Sequence, residues 1–244
     1  MDCVLAVQSK MNIFLDDNDR HTNLVGLDSL MKENDLNYVR QIPTIDINQI
    51  GQLINQGVHH RVYEYGRDEV LKVPRRRFNF LYSNRSHLEA DLKLINSYFP
   101  ELAVSTVVHS SKSHQHHCMI QEKVKVYTLI DPVSFKEVGD DFTNLLQKNK
   151  QLEINHCCSL DLLGGQGLLS CIRYFLGHKE LPYFSNTVLV KKNGRFKLRV
   201  IDTELLRLSL TSLTFTGILS YVSSHCSLVA TNICLNSFYL RARH

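Results

Sequence analysis

At 244 residues, with 43% hydrophobic and 21% charged side chains, the chain can bury a sizeable core in one large domain or two lobes around a cleft, which excludes wholesale disorder. A formal net charge of +4 is modest, and no nucleic-acid partner is expected from it. The seven cysteines include no CxxC pair, which excludes a zinc finger or a disulfide framework and sets a reducing, cytoplasmic location as the expectation.

The opening Met1-Asp2-Cys3-Val4-Leu5 carries an early acid and no long apolar run, so no signal peptide is expected. Residues 1–45 lack a clean period and read as an N-terminal extension, with a turn or loop at Asp16-Asp17-Asn18-Asp19. From 50 to 73 the pattern is strand-like. Leu53 and Ile54 lead to a turn at Asn55-Gln56-Gly57, and Arg61-Val62-Tyr63-Glu64-Tyr65 alternates. Gly66-Arg67-Asp68 makes a hairpin turn into the strand Glu69-Val70-Leu71-Lys72-Val73. Arg75-Arg76-Arg77 is either a solvated turn or a contact for phosphate or an acidic partner. Residues 86–98 read as a helix capped by Ser86, with Glu89 at the capping-box spacing. Leu88, Leu92 and Ile95 share one face, and Pro100 ends it. Strands at 103–108 and 118–126 follow, joined by a polar loop at 110–117. The His109, His114, His116, His117 and Cys118 crowded there fit no standard metal spacing.

After Asp131-Pro132 the chain turns helical. Residues 135–150 are amphipathic, and 167–176 form a short apolar helix behind Gly164-Gly165-Gln166-Gly167. That glycine run is either a connector or a phosphate-binding helix start. Runs at 187–191 and 196–201 are separated by Asn193-Gly194, the strongest short hairpin signal. From Leu208 to Leu240 there is no Asp, Glu, Lys or Arg. That length spans a bilayer, but the segment is dense in Ser, Thr, Asn and His. Two buried or half-buried helices are therefore expected, with a membrane contact through 208–240 as the alternative.

A five-stranded lobe with one helix, then helices with an inserted hairpin, resembles the layout of protein kinases and their small-molecule relatives. The similarity runs over about residues 50–207. Gly57, five residues before Val62, matches the middle glycine of the kinase phosphate loop, with Asn55 and His60 where the outer glycines would stand. Lys72 looks like the strand lysine that holds nucleotide phosphates, and Glu89 like its helix partner. Gln121-Glu122-Lys123-Val124 resembles the hinge whose backbone meets adenine, placing Glu122 and Val124 there. Asn186 before one hairpin strand and Asp202 after the next are similar to the kinase pair that carries magnesium.

The resemblance implies an α+β protein with an N-terminal extension at 1–45, a kinase-like N-lobe at 46–126 and a reduced, mostly helical C-lobe at 127–244. It also implies ATP and Mg2+ as cofactors and an unidentified protein or small-molecule acceptor. Departures from the pattern leave the activity open between an ATP-dependent kinase and a pseudokinase acting as a binding or regulatory module. Asp202-Thr203-Glu204 replaces Asp-Phe-Gly, and no Ala-Pro-Glu follows it. Five residues before Asn186, where the catalytic aspartate belongs, stands Leu181. Two acids are candidates for its role: Glu180, one residue out of register in His178-Lys179-Glu180, and Asp161, ahead of Gly164 and Gly165.

Overall fold

The computed structural model describes residues 31–57, 59–75, 85–112, 116–125, 127–210 and 215–242. The acidic turn at 16–19, Arg76, Arg77 and His114 lie outside them. A five-stranded antiparallel sheet is built from β1 (Ile50–Gln56), β2 (His60–Tyr65), β3 (Glu69–Pro74), β4 (Thr106–Ser110) and β5 (His117–Glu122), in the order β1-β2-β3-β5-β4. Lys72 sits on the central strand, between Val62 and Met119. Before the sheet comes α1 (Glu33–Val39). Residues 31–45, read from sequence as part of an extension, bury Met31, Val39, Ile42 and Ile45 in the same core as Tyr63, Leu71 and Val73. Buried Asp35 clamps α1 to β2, accepting from Arg61 and from the Tyr63 hydroxyl at 2.6 Å each.

The helix across the sheet is α2 (Arg85–Tyr98). Ser86 lies within it and is not its cap; Ile95 is buried on the expected face. The strand read at 118–126 is shorter. Residues 123–125 form a connector, and β6 (Tyr127–Leu129) joins the lower part. There α3 (Pro132–His156) begins with a full capping box, Asp131 with Ser134, and Pro132 at the first turn. It runs on well past residue 150. Then come β7 (Cys158–Leu160), α4 (Gly164–Phe175), the hairpin β8 (Thr187–Lys192) and β9 (Arg195–Val200), β10 (Leu205–Arg207) and α5 (Phe215–Ala242). The uncharged tail is thus one helix over its described part, rather than two. Strand β6 pairs with β8, and β7 pairs with β10, both antiparallel. The lower core centres on Phe135, Phe142, Phe184 and Phe238, whose rings stand 5.2–6.1 Å apart in successive pairs. Two backbone bonds tie the parts together: Val104 N–H donates to Val200 O at 3.2 Å, and Val200 N–H to Leu102 O at 2.9 Å.

Candidate functional site

Four stretches far apart in sequence meet where the upper sheet faces the lower hairpin. The first is β3, which delivers Lys72. Its ammonium donates to Ile201 O at 3.1 Å and to Asp202 Oδ1 at 3.2 Å. The second is the hairpin. Asn193 and Gly194 adopt φ of 53° and 79°, the left-handed pair that a tight antiparallel turn requires. The Ile201 N–H donates to Asn186 O at 2.9 Å, so the hairpin register continues past Thr187–Val200 and brings Asn186 beside the residue before Asp202.

The third stretch is β7. Buried Asn149 on α3 holds it, its Oδ1 accepting from Leu160 N–H at 2.7 Å and its amide donating to Ser159 Oγ at 2.9 Å. Asp161 follows at once. Its N–H donates to Glu204 O at 3.1 Å, its carbonyl accepts from Asn186 Nδ2 at 2.9 Å, and its Oδ1 accepts from Gly164 N–H at 2.9 Å. Gly164 has φ of 70°, and a Cβ there would stand 2.3 Å from Asn186 Oδ1, so the close approach demands glycine. Burial pushes the Asp161 carboxyl up to about 6, with the charges of Glu204 and Asp202 adding to it. Burial also raises Asp202, and the Lys72 ammonium opposes that shift.

The fourth stretch is the β1–β2 turn. His59 Nδ1 lies 3.0 Å from both carboxylate oxygens of Glu204, which holds the imidazole above its usual range against the effect of burial. His60 is buried, and that burial lowers it to about 3, so its ring is neutral. Gly57 N–H donates to His60 O at 2.9 Å within the turn, and a Cβ at Gly57 would meet only that carbonyl, at 3.5 Å.

The other residues singled out from sequence lie apart from this group. Glu89 pairs with Arg85 on its own helix at 2.7 Å, and Lys72 with Asp202, so the expected Lys72–Glu89 pair does not form. The cause is local: an arginine one turn away is a nearer partner for an exposed carboxylate. Glu122 is exposed and pairs with Arg199 across the connector, and Val124 beside it is half-buried. Glu180 is exposed between α4 and β8, where burial raises the Tyr183 hydroxyl and the Glu180 charge adds to it. In the sequence Glu204 stands out only as a departure from Asp-Phe-Gly. Its pairing with Asp161 depends on β7 and β10, three residues each, which leave no periodic signal.

No protein-family model and no curated protein matches the chain. Among solved structures it is similar to the gentamicin complex of APH(2")-IIa, at 16% identity and a TM-score of 0.40, with 89% of each chain covered. It is also similar to the GDP and kanamycin complex of APH(2")-IIia, at 12% identity and a TM-score of 0.36, covering 86% of this chain and 90% of that one. The strand order β1-β2-β3-β5-β4, the helix between β3 and β4, and the meeting of a central-strand lysine with an aspartate past a lower hairpin give this chain a protein-kinase-like fold.

Proposed function

We propose that the chain binds ATP with magnesium in the cleft between upper sheet and lower hairpin, and transfers a phosphoryl group to an acceptor as a divergent kinase-like phosphotransferase. What carries this reading is the convergence of Lys72, Asn186, Asp202 and Asp161. Lys72 is the cation for phosphate oxygens, and Asp202, its present partner, is the anion it would share with a metal. The donor set suits a hard cation: an amide oxygen and a carboxylate oxygen. Among the described residues no group of three or more His, Cys, Asp or Glu could hold a metal unaided. Magnesium is commonly held by one or two protein oxygens, with water and phosphate completing its shell. Bound nucleotide and metal would supply the transferable group and neutralise its charge. Asp161, poised at about 6, is the candidate to accept the acceptor's proton, and the Asn186 amide fixes its backbone.

One observation favours a second reading, a binding module without turnover: Oδ1 of Asp161 is already engaged by Gly164 N–H. Two measurements separate these readings. ATP with magnesium is expected to raise the melting temperature, and Asp202→Ala to shrink that rise; an unchanged melting curve in wild type overturns nucleotide binding. In a single-turnover assay Asp161→Asn is expected to lose transfer and Glu180→Gln to keep it. ATP binding without any wild-type turnover selects the binding module.

A further inference from the structure

A phosphate-cradling turn ordinarily offers free backbone amides and no side chains. In the β1–β2 turn three backbone groups of the described residues are already engaged. Gly57 N–H is taken by His60 O at 2.9 Å, His59 O accepts from Arg75 N–H at 2.8 Å, and Gly57 O accepts from the Arg75 guanidinium at 3.1 Å. With the Gly57 amide committed, the ring nitrogens of the turn's side chains are further donors to an anion. Of its two imidazoles, His60 is buried and neutral, with Glu204 3.9 Å away. His59 is half-buried, lies 3.0 Å from both Glu204 oxygens, and feels the negative charge of Asp202 and Asp161 as well.

A carboxylate and a terminal phosphate present the same chemistry to a ring N–H: paired, negatively charged oxygens. Resting on the nucleotide reading above, we propose that His59 is the phosphate-contacting side chain of the β1–β2 turn, and that Glu204 is the stand-in anion it releases when phosphate arrives. Glu204 then competes with the ligand, and its backbone bond to Asp161 keeps it within reach of the site afterwards.

The test is calorimetric binding of ATP, tripolyphosphate and adenosine, all without divalent metal, to the full chain as wild type, His59→Ala, His59→Gln and Glu204→Gln. Loss of one charge-assisted hydrogen bond predicts about tenfold weaker ATP and tripolyphosphate binding to His59→Ala, with adenosine unchanged. His59→Gln keeps a donor without the charge and falls between. Glu204→Gln removes the competitor and tightens both polyanions. Circular dichroism and melting curves check that each variant is folded, and the glutamine pair carries the test if the alanine variant is not. Unchanged polyanion binding in the folded His59 variants overturns the proposal, as does weaker binding in Glu204→Gln. If tripolyphosphate depends on His59 while ATP with magnesium leaves the wild-type melting curve unchanged, the anion site stands and the nucleotide reading falls. If wild type binds neither polyanion while ATP with magnesium raises its melting temperature, the His59 proposal falls and the nucleotide reading stands.

Discussion

The upper sheet and helix α4 treat their apolar residues in opposite ways. In the sheet the inward side chains are the large ones: Tyr63, Leu71 and Val73 are buried, while residues such as Gln52 and Ile54 at the edge face out. In α4 the face against the body is Gly164, Gly167 and Cys171, and Leu169, Ile172, Phe175 and Leu176 are 41%, 48%, 65% and 76% exposed. Helix α5 is mixed: it buries Ala230, Cys234 and Phe238 together with Ser224, Ser227 and Thr231, and exposes Val222, Val229 and Leu240. Close approach accounts for the inner face of α4. A Cβ at Gly167 would stand 2.6 Å from Tyr183 O, as one at Gly164 would crowd Asn186. Helix α4 thus keeps small residues where it meets the chain leading into the hairpin and packs Leu168 against the core, while Leu169, Ile172 and Phe175 are left outside. Of the polar residues facing inward on α5, Thr231 is satisfied locally, donating to Ser227 O at 2.8 Å.

The largest expected effect lies in the lower core. Phe142 is fully buried, with its ring 5.2 Å from Phe184 and 5.5 Å from Phe135. Phe142→Ala should cost about 4 kcal/mol in denaturant unfolding. A loss below about 1 kcal/mol would mean that the aromatic cluster does not carry this half of the molecule.

Next comes a charge in the same half. The Asp161 carboxyl sits near 6 when folded, above its ordinary 3.8. The folded state therefore binds more protons than the unfolded state between those values, and stability falls as pH rises through that window. The loss is at most about 3 kcal/mol and is complete above about pH 6. Asp161→Asn keeps the acceptor for Gly164 N–H and removes the titration. The stability of the variant relative to wild type should therefore climb over this range, and a difference that stays flat with pH would place the carboxyl in contact with water.

The elements whose chemistry is local were readable from the residues. Asn193-Gly194 demanded a hairpin and adopts the left-handed conformations such a turn needs. The alternation of 61–65 and the turn at Gly66-Arg67-Asp68 pointed to two adjacent strands, and the face shared by Leu88, Leu92 and Ile95 is the one on which α2 buries Ile95. Pairings that depend on distance along the chain were not readable. Strand β7 meets β10 across more than forty residues with three residues on each side, so Glu204 arrived at the site without a signal. The Lys72–Glu89 expectation failed for the same kind of reason: nothing in the sequence weighs Arg85, one turn away, against a lysine on another element. The expectation of two helices in the tail gives way to one continuous helix over its described part, with Ser224, Ser227 and Thr231 on the buried side.

Gly164→Ala probes the close approach directly. A methyl group there must adopt a φ of 70° and displace Asn186 Oδ1 or Ser185 Oγ. The cost should be about 2 kcal/mol in urea unfolding, with weaker magnesium-dependent ATP binding than wild type because Asn186 shifts. Alanine at Gly139, where no atom lies within 4 Å of the added carbon, is the matched control and should be neutral or slightly stabilising. Equal effects at the two positions would remove the argument that α4 is built for proximity to the hairpin.

The smallest expected effect sits on the outer face of α4. Phe175 and Leu176 are 65% and 76% exposed, so Phe175→Ser with Leu176→Ser removes little buried area and should change unfolding free energy by less than about 0.5 kcal/mol. The comparison with the sheet sharpens this. Serine at buried Leu71 discards a packed side chain, whereas serine at Leu176 discards one already in water. The measurement is urea unfolding of the double variant beside Leu71→Ser, on the full chain, with and without lipid vesicles. Helix α5 is long and apolar enough over Gly217–Ala242 to cross a membrane by length and composition, so vesicles are the relevant second condition. A near-zero cost in buffer fits the inverted helix as described. A cost near that of Leu71→Ser would mean that another part of the chain or a second copy covers this face in solution. A cost that appears only with vesicles would turn the alternative reading of 208–240, a membrane contact, into the favoured use of both exposed stripes.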